Sequence, residues 1–346
     1  MEELHSLMPD IRFEIFTLVP EWFFSSSISF QFGYHPELTD IGLIQKTPLI
    51  EDIEETINHL DGFIPFRTDT IKRLADTITH LDCCAIISDI SPLGISIARM
   101  LGIPSILIEN FTWDWIYEGY PEYTDRFGRH IDYLKEVYAA ADYHIQTEPI
   151  CNPINADLKT PPVSRRIRRQ PDEVRGILNI PDGARIVMLT ISGANMDGYN
   201  FLNEIQGLND LFFVIPCVTP ESRRNGNLIF LSQDSGILHH DLVNAVDVII
   251  GKLGYSTVAE VYHAGVPFGY IKRERFRESE RLEWFCKSEM MCHAIGEDEF
   301  TDGRWIPIIS GLLGMERVKK TCPNGAGMIA GFILNTLKGV KGWANR

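Results

Sequence analysis

The chain has 346 residues, 45% of them hydrophobic and 23% charged, with a formal net charge of -15. At about 150 residues per domain this length predicts two domains, and the acidic balance argues against nucleic acid or an anionic membrane as the main partner. Seven cysteines without metal-ligand spacing fit a reducing cytoplasm rather than a disulfide scaffold, and no run reaches the roughly eighteen apolar residues of a membrane span. The expected location is the cytoplasm.

In chain order, Met1–Met8 carries Leu4, Leu7 and Met8 at helical spacing and reads as the tail of an amphipathic helix. Arg12–Val19 alternates as a strand, Glu51–Leu60 and Thr68–His80 are helical, and Ala85–Ser88 is a buried strand ending at Asp89. Ser91-Pro92 opens a helix to Leu101, and Ser105–Ile108 is the next strand. Strands alternating with helices through short Gly/Pro turns specify a parallel sheet covered on both faces. Ligands collect at the carboxyl ends of such strands. Two groups sit there. Asp89 either holds its turn or contacts a sugar or acceptor. Asn110, Phe111, Trp113, Asp114, Trp115 and Tyr117 suit either sugar binding or an interdomain packing pad.

In a doubly wound sheet the first strand is central. A chain that opens on a helix tail lacks that strand and its Gly-rich turn. The reading is that Met1 is not the natural start and that roughly 20 residues lie upstream.

The second half repeats the pattern. Ala139–Gln146 closes the first domain as a helix and strand, and the Pro/Arg-rich Asn152–Arg169 reads as a solvated interdomain segment with one Arg open to the cleft. Asp172–Leu178 is a short helix behind Pro171. Arg185–Ile191 is a strand running into the turn Ser192-Gly193, and Leu211–Val218 and Leu228–Leu231 are further strands. His239–Ala245 is a helical turn feeding the strand Val246–Ile250, which is followed by the turn Gly251–Gly254. A helix starting near Ser256 or Thr257 then runs to Gly265. Its free amides and dipole form a ready diphosphate site. The same residues read equally as a plain unit with Thr257 and Glu260 as a capping box. Pro323-Asn324-Gly325 precedes a last helix, Ala326–Leu337. The predicted domains are 1–150, 171–323 and a C-terminal helix and tail, 324–346. The motifs GxxxxGK[ST], HExxH and GxSxG are absent from the sequence.

The run Gly251–Glu260, followed by Val266-Pro267-Phe268, Arg273, Phe276 and Glu278, resembles the glycosyltransferase-like region of L-arabinokinases. It is more distantly similar to the lipid-linked GlcNAc transferase of peptidoglycan synthesis. Ser88-Asp89, Asn110–Asp114, Arg165-Arg166, Glu173–Arg175 and Asn324-Gly325 match in the same order. The resemblance implies the GT-B fold, an α/β architecture of two Rossmann-like domains facing across a cleft, and a glycosyltransferase that moves a hexose or N-acetylhexosamine from a nucleotide sugar. The donor implied is a uridine diphosphate (UDP) sugar, used without metal or cofactor. Ser192, Gly193, Gly254, Tyr255, Ser256 and Thr257 would face the diphosphate and Glu260 the ribose, with Arg273 and Glu278 at the diphosphate or sugar. Asp89, Asn110, Trp113 and Asp114 would line the acceptor side. The family's N-terminal Gly/His turn has no counterpart here, so the resemblance assigns no catalytic base. No galactokinase-type domain is recognised within the 346 residues, so arabinokinase activity is not expected of them on length. Two other readings stand beside this one: a non-catalytic nucleotide-sugar-binding module or regulator, and a nucleotide-sugar 2-epimerase.

Overall fold

A computed structural model describes residues 1–191, 201–208, 210–219, 221–318 and 320–338. The chain divides into two compact units. Unit 1 is Met1–Ile44, Glu51–Val163 and Pro323–Arg346; unit 2 is Gln45–Ile50 and Ser164–Cys322. Among the described residues no helix is long and apolar enough to cross a membrane.

Unit 1 opens with α1 (Glu2–Leu7), β1 (Glu14–Thr17), α2 (Glu21–Ser27) and β2 (Gly33–Pro36). Two short strands, β3 (Gln45–Thr47) and β4 (Ile50–Glu51), fall at the unit boundary. Then come α3 (Ile53–Phe63), α4 (Thr68–His80), β5 (Ile86–Asp89), α5 (Leu93–Leu101), β6 (Ser105–Glu109), α6 (Trp113–Tyr117), α7 (Thr124–Ala139), β7 (Tyr143–Thr147) and β8 (Leu158–Thr160). The predicted elements form because apolar residues recur at the right period; α4 occupies the predicted span without change.

The sheet of unit 1 is in two pieces. Strands β5-β6-β7-β8 form one parallel ladder, and β1-β2 form another.

Unit 2 contains α8 (Pro171–Ile177), β9 (Arg185–Thr190), α9 (Phe201–Gln206), β10 (Leu211–Thr219), β11 (Arg223–Asn225), β12 (Leu228–Ser232), α10 (His239–Ala245) and β13 (Val248–Lys252). It continues with α11 (Tyr255–Ala264), β14 (Phe268–Ile271), α12 (Glu278–Glu289), β15 (Cys292–Ile295), α13 (Glu297–Thr301) and α14 (Ile308–Leu313). The sheet order is β11-β12-β10-β9-β13-β14-β15, parallel except for the edge strand β11. Successive residues of β9 alternate between two cores. Ile186 and Met188 face α10 and α11, whereas Val187 and Leu189 face Phe201, Phe300 and Leu312. A sheet buried on both sides explains why these strands read as unbroken apolar runs.

The predicted C-terminal helix belongs to unit 1. Helix α15 (Gly325–Leu337) packs Ile329, Ala330, Ile333 and Leu337 against Ile106, Ile145 and Leu4. Asn324 caps it, its Oδ1 accepting from the Ala326 amide at 3.0 Å. Gly325 sits so close to β8 that an added Cβ would lie 2.2 Å from the Pro161 carbonyl oxygen. The Gly325→Ala protein should therefore lose about 1–3 kcal/mol of stability through overpacking. Urea unfolding of the two proteins measures this, and equal midpoints would contradict the close approach.

Candidate nucleotide site at the switch point of unit 2

The sheet order of unit 2 reverses at β9. The chain moves outward to β10 and β12, then returns to place β13 on the other side. In open α/β sheets the crevice at the carboxyl ends of the strands flanking such a reversal is where ligands bind. Thr190 ends β9 there and pairs in register with Gly251 of β13. A Cβ on Gly251 would stand 2.5 Å from the Thr190 carbonyl oxygen, so only glycine allows this approach.

Helix α11 starts from this corner. Its N-cap is Gly254, in extended backbone with no side-chain cap, and the helix ends at Gly265 with φ 69 in the left-handed region that glycine favours. The predicted capping box is not formed. The helix begins at Tyr255, which puts Thr257 inside the first turn, and Glu260 is occupied elsewhere. No described hydrogen bond uses the amides of Ser256 and Thr257. They remain available at the positive end of the dipole.

Glu260 lies on the buried side of α11 and is 5% exposed. Its Oε1 accepts from Arg165 Nε at 2.8 Å and its Oε2 from His239 Nδ1 at 2.7 Å. Burial by itself would raise this carboxyl. The hydrogen bond and charge of His239, then Arg165, outweigh burial and bring it down to about 2. His239 Nε2 lies 3.0 Å from Thr190 Oγ1. With Nδ1 committed to Glu260, Nε2 is the ring atom that pairs with the Thr190 hydroxyl. Next to this group Asp241, 1% exposed, accepts from the Arg168 and Arg169 amides at 2.7 and 3.1 Å. The Arg-rich end of the segment is thus fastened within unit 2 by two buried carboxylates, while Arg166, Ile167 and Arg168 stay exposed to solvent, as the sequence reading expected. Burial lowers the basicity of the neighbouring His240, whose ring nitrogens have no hydrogen-bond partner among the described residues.

Arg273 and Glu278 come together beyond β14, 3.8 Å apart and 7% and 3% exposed. The guanidinium of Arg273 stacks 3.5 Å over the Phe276 ring. Ser192 and Gly193 lie outside the described residues. Sequence reasoning missed Thr190, His239 and Asp241. The available signal was a polar His-His-Asp run opening a helix between two apolar strands.

In unit 1 the predicted acceptor residues separate. Asn110 and Asp114 are 4% and 9% exposed. Trp113 is half-buried and donates from Nε1 to Asp40 Oδ2 at 3.0 Å. Tyr117, stacked on Phe127, donates to the Gly42 carbonyl at 2.8 Å. This aromatic cluster is chiefly internal packing of unit 1. Asp89 differs, being exposed at the end of β5. Desolvation by the protein around it, with repulsion from Asp40, pushes it up to about 6. Among the described residues no group of three or more His, Cys, Asp or Glu is placed to hold a metal ion.

Two pH dependences follow. Glu260 titrates below its ordinary 4.5, so its stabilisation is complete above that pH and is lost as pH falls toward 2. The amount is about 3 kcal/mol. Chemical unfolding from pH 6 to 2 should show Glu260→Gln with a flatter acid limb than the unmodified chain; parallel curves would refute the clasp. Asp89 has the opposite sign: its folded value is raised from 3.8, so ionising it weakens the fold as pH rises through about 6. The Asp89→Asn protein should melt higher than the parent at pH 7.5 and equally at pH 4, as differential scanning calorimetry can establish.

No family model matches the chain. A search of curated proteins finds an L-arabinokinase of Arabidopsis thaliana, 27% identical over 331 residues. The match covers 92% of this chain but 31% of that protein, so the chain spans under a third of its relative's length. Among solved structures, the calicheamicin glycosyltransferase CalG4 superimposes with a TM-score of 0.62 at 9% identity, covering 98% of this chain and 94% of that one. A UDP-glucosyltransferase from Polygonum tinctorium gives 0.59 at 13% identity, with 97% and 89% covered. The kitacinnamycin glycotransferase gives 0.56 at 13% identity, with 94% and 98% covered. The chain has the GT-B fold of glycosyltransferases, as the sequence motifs implied.

Proposed function

We propose that the chain is a glycosyltransferase that takes its sugar from a nucleoside diphosphate donor, most simply a UDP-sugar, and acts in the cytoplasm. The observation that supports this best is the uncapped N-terminus of α11 at the switch point of unit 2, beside the Thr190 hydroxyl and the Glu260 clasp. Backbone amides from Gly254 to Thr257, with Ser192 and Gly193, take the diphosphate. Arg273 and Glu278 act on the diphosphate and the hexosyl or N-acetylhexosaminyl group. Glu260 takes the ribose hydroxyls, since a carboxylate has about four acceptor sites and the described bonds use two. Breaking the glycosidic bond builds negative charge on the departing nucleotide. The helix dipole and a nearby cation stabilise that charge without a divalent metal.

The relatives lend the donor class. One solved neighbour is a UDP-glucosyltransferase, and another, from Arabidopsis thaliana, was solved with UDP-L-rhamnose. A second reading, a nucleotide-sugar-binding module without turnover, is favoured by the divided sheet of unit 1.

Thermal shift with uridine, guanosine, thymidine and adenosine diphosphates should single out uridine diphosphate, and release of free nucleotide from the matching sugar should follow in the presence of EDTA. A shift without release would establish the module; no shift with any nucleotide would remove both readings. The Glu260→Gln protein, if folded by circular dichroism, should bind uridine diphosphate at least tenfold more weakly. Unchanged affinity would confine Glu260 to holding Arg165 and His239.

A further inference from the structure

Glu260 places a negative charge at a corner suited to anions. It stands in the second turn of α11. Helical side chains lean back toward the N-terminus, which brings its carboxylate toward the amides of the first turn. The carboxyl is ionised at neutral pH, being held down to about 2. A diphosphate arriving at the same helix start would meet that charge, and two anions so close repel unless a cation is placed with them.

Arg165 is such a cation. Its Nε donates to Glu260 Oε1 at 2.8 Å. The side chain of Glu260 is 3% exposed and that of Arg165 is 32% exposed, so the carboxylate is enclosed while solvent reaches the arginine beside it. With Nε on the carboxylate, the terminal nitrogens carry the other N–H donors of the guanidinium, in a planar fork that matches phosphate oxygens. The position is set in advance. Just downstream, Asp241 Oδ1 accepts from the amides of Arg168 and Arg169. His239 joins the same carboxylate through Nδ1 and reaches Thr190, at the end of β9, through Nε2, so the group stands at the switch point. Arg273 is placed differently: its side chain is 8% exposed, with the guanidinium 3.5 Å over the Phe276 ring. Of these two arginines, Arg165 is the more accessible.

We infer, on the reading that α11 receives a nucleoside diphosphate, that Arg165 is the residue that grips its phosphates, with Glu260 holding the guanidinium in place through Nε. Ribose and phosphates are then recognised by the two halves of one ion pair: Glu260 takes the sugar hydroxyls and Arg165 takes the charge. A buried carboxylate at an anion site has a use in this arrangement. It fixes the orientation of the arginine, so little side-chain freedom remains to be lost on binding. Removing Arg165 both deletes an attraction and leaves the diphosphate facing the charge of Glu260.

The test titrates the full chain with uridine diphosphate, by calorimetry, and with uridine, which has the ribose and no phosphate, by ligand-detected NMR. Arg165→Gln should weaken uridine diphosphate about tenfold or more, the scale of one charge-assisted hydrogen bond, and leave uridine unchanged. Glu260→Gln should weaken both ligands. Equal weakening of both by Arg165→Gln would confine Arg165 to supporting the ribose carboxylate and overturn the assignment, as would an unchanged affinity for uridine diphosphate. Where Arg165→Gln alone fails to fold, the double variant with Glu260→Gln decides, because it strands no buried carboxylate. Compared with Glu260→Gln alone, the double variant should prefer uridine diphosphate over uridine about tenfold less; an equal preference would refute the role of Arg165. Failure of the unmodified chain to bind either ligand would remove the nucleotide reading of unit 2 and this role together, whereas tight binding of uridine diphosphate that is indifferent to Arg165 would remove this role alone.

Discussion

One buried carboxylate sets the order of unit 2. Glu260 would be neutral in its setting if burial alone acted, since an uncompensated charge is expensive away from water. It remains charged because Arg165 and His239 each supply a hydrogen bond and positive charge. Those partners come from different elements: Glu260 is on α11, His239 on α10, and Arg165 on the segment ahead of α8. His239 extends the connection to Thr190 on β9. Removing any member leaves the others buried with unmet needs, so the arrangement is held as a whole. The Arg-rich segment has no apolar face to bury. It is ordered because Glu260 takes a side chain and Asp241 takes two backbone amides.

The same fastening prepares the switch point. Strands β9 and β13 approach closely at Gly251, the start of α11 carries no side-chain cap, and Arg273 is stacked and paired nearby. A site held this way loses little conformational freedom when an anion arrives, which is the condition for electrostatic stabilisation of a leaving diphosphate. The cluster serves the proposed chemistry through rigidity as much as through contact.

Unit 1 is built by different means. Its aromatic segment turns inward, with Tyr117 stacked on Phe127 and Trp113 donating to Asp40, and α15 returns from later in the chain to cover the β6 and β7 face. Asp89 stays accessible at the end of β5.

Local order was legible in the residues themselves. Apolar period and Gly/Pro punctuation placed α4, α5, β6, β9 and β13 within a few positions, because helices and strands are selected by neighbours one to four residues away. The Gly251–Glu260 stretch marked the strand–turn–helix corner from β13 into α11 for the same reason. What lay beyond the sequence was every relation between distant residues. The Thr257–Glu260 capping box is locally plausible, yet Glu260 turns to partners 95 and 21 residues away, and the helix starts from Gly254 instead. The assignment of α15 to unit 1, the fastening of the Arg-rich segment, and the inward turn of Trp113 and Tyr117 were decided by tertiary packing. Burial and charge pairing depend on which surfaces meet, and no local pattern records that.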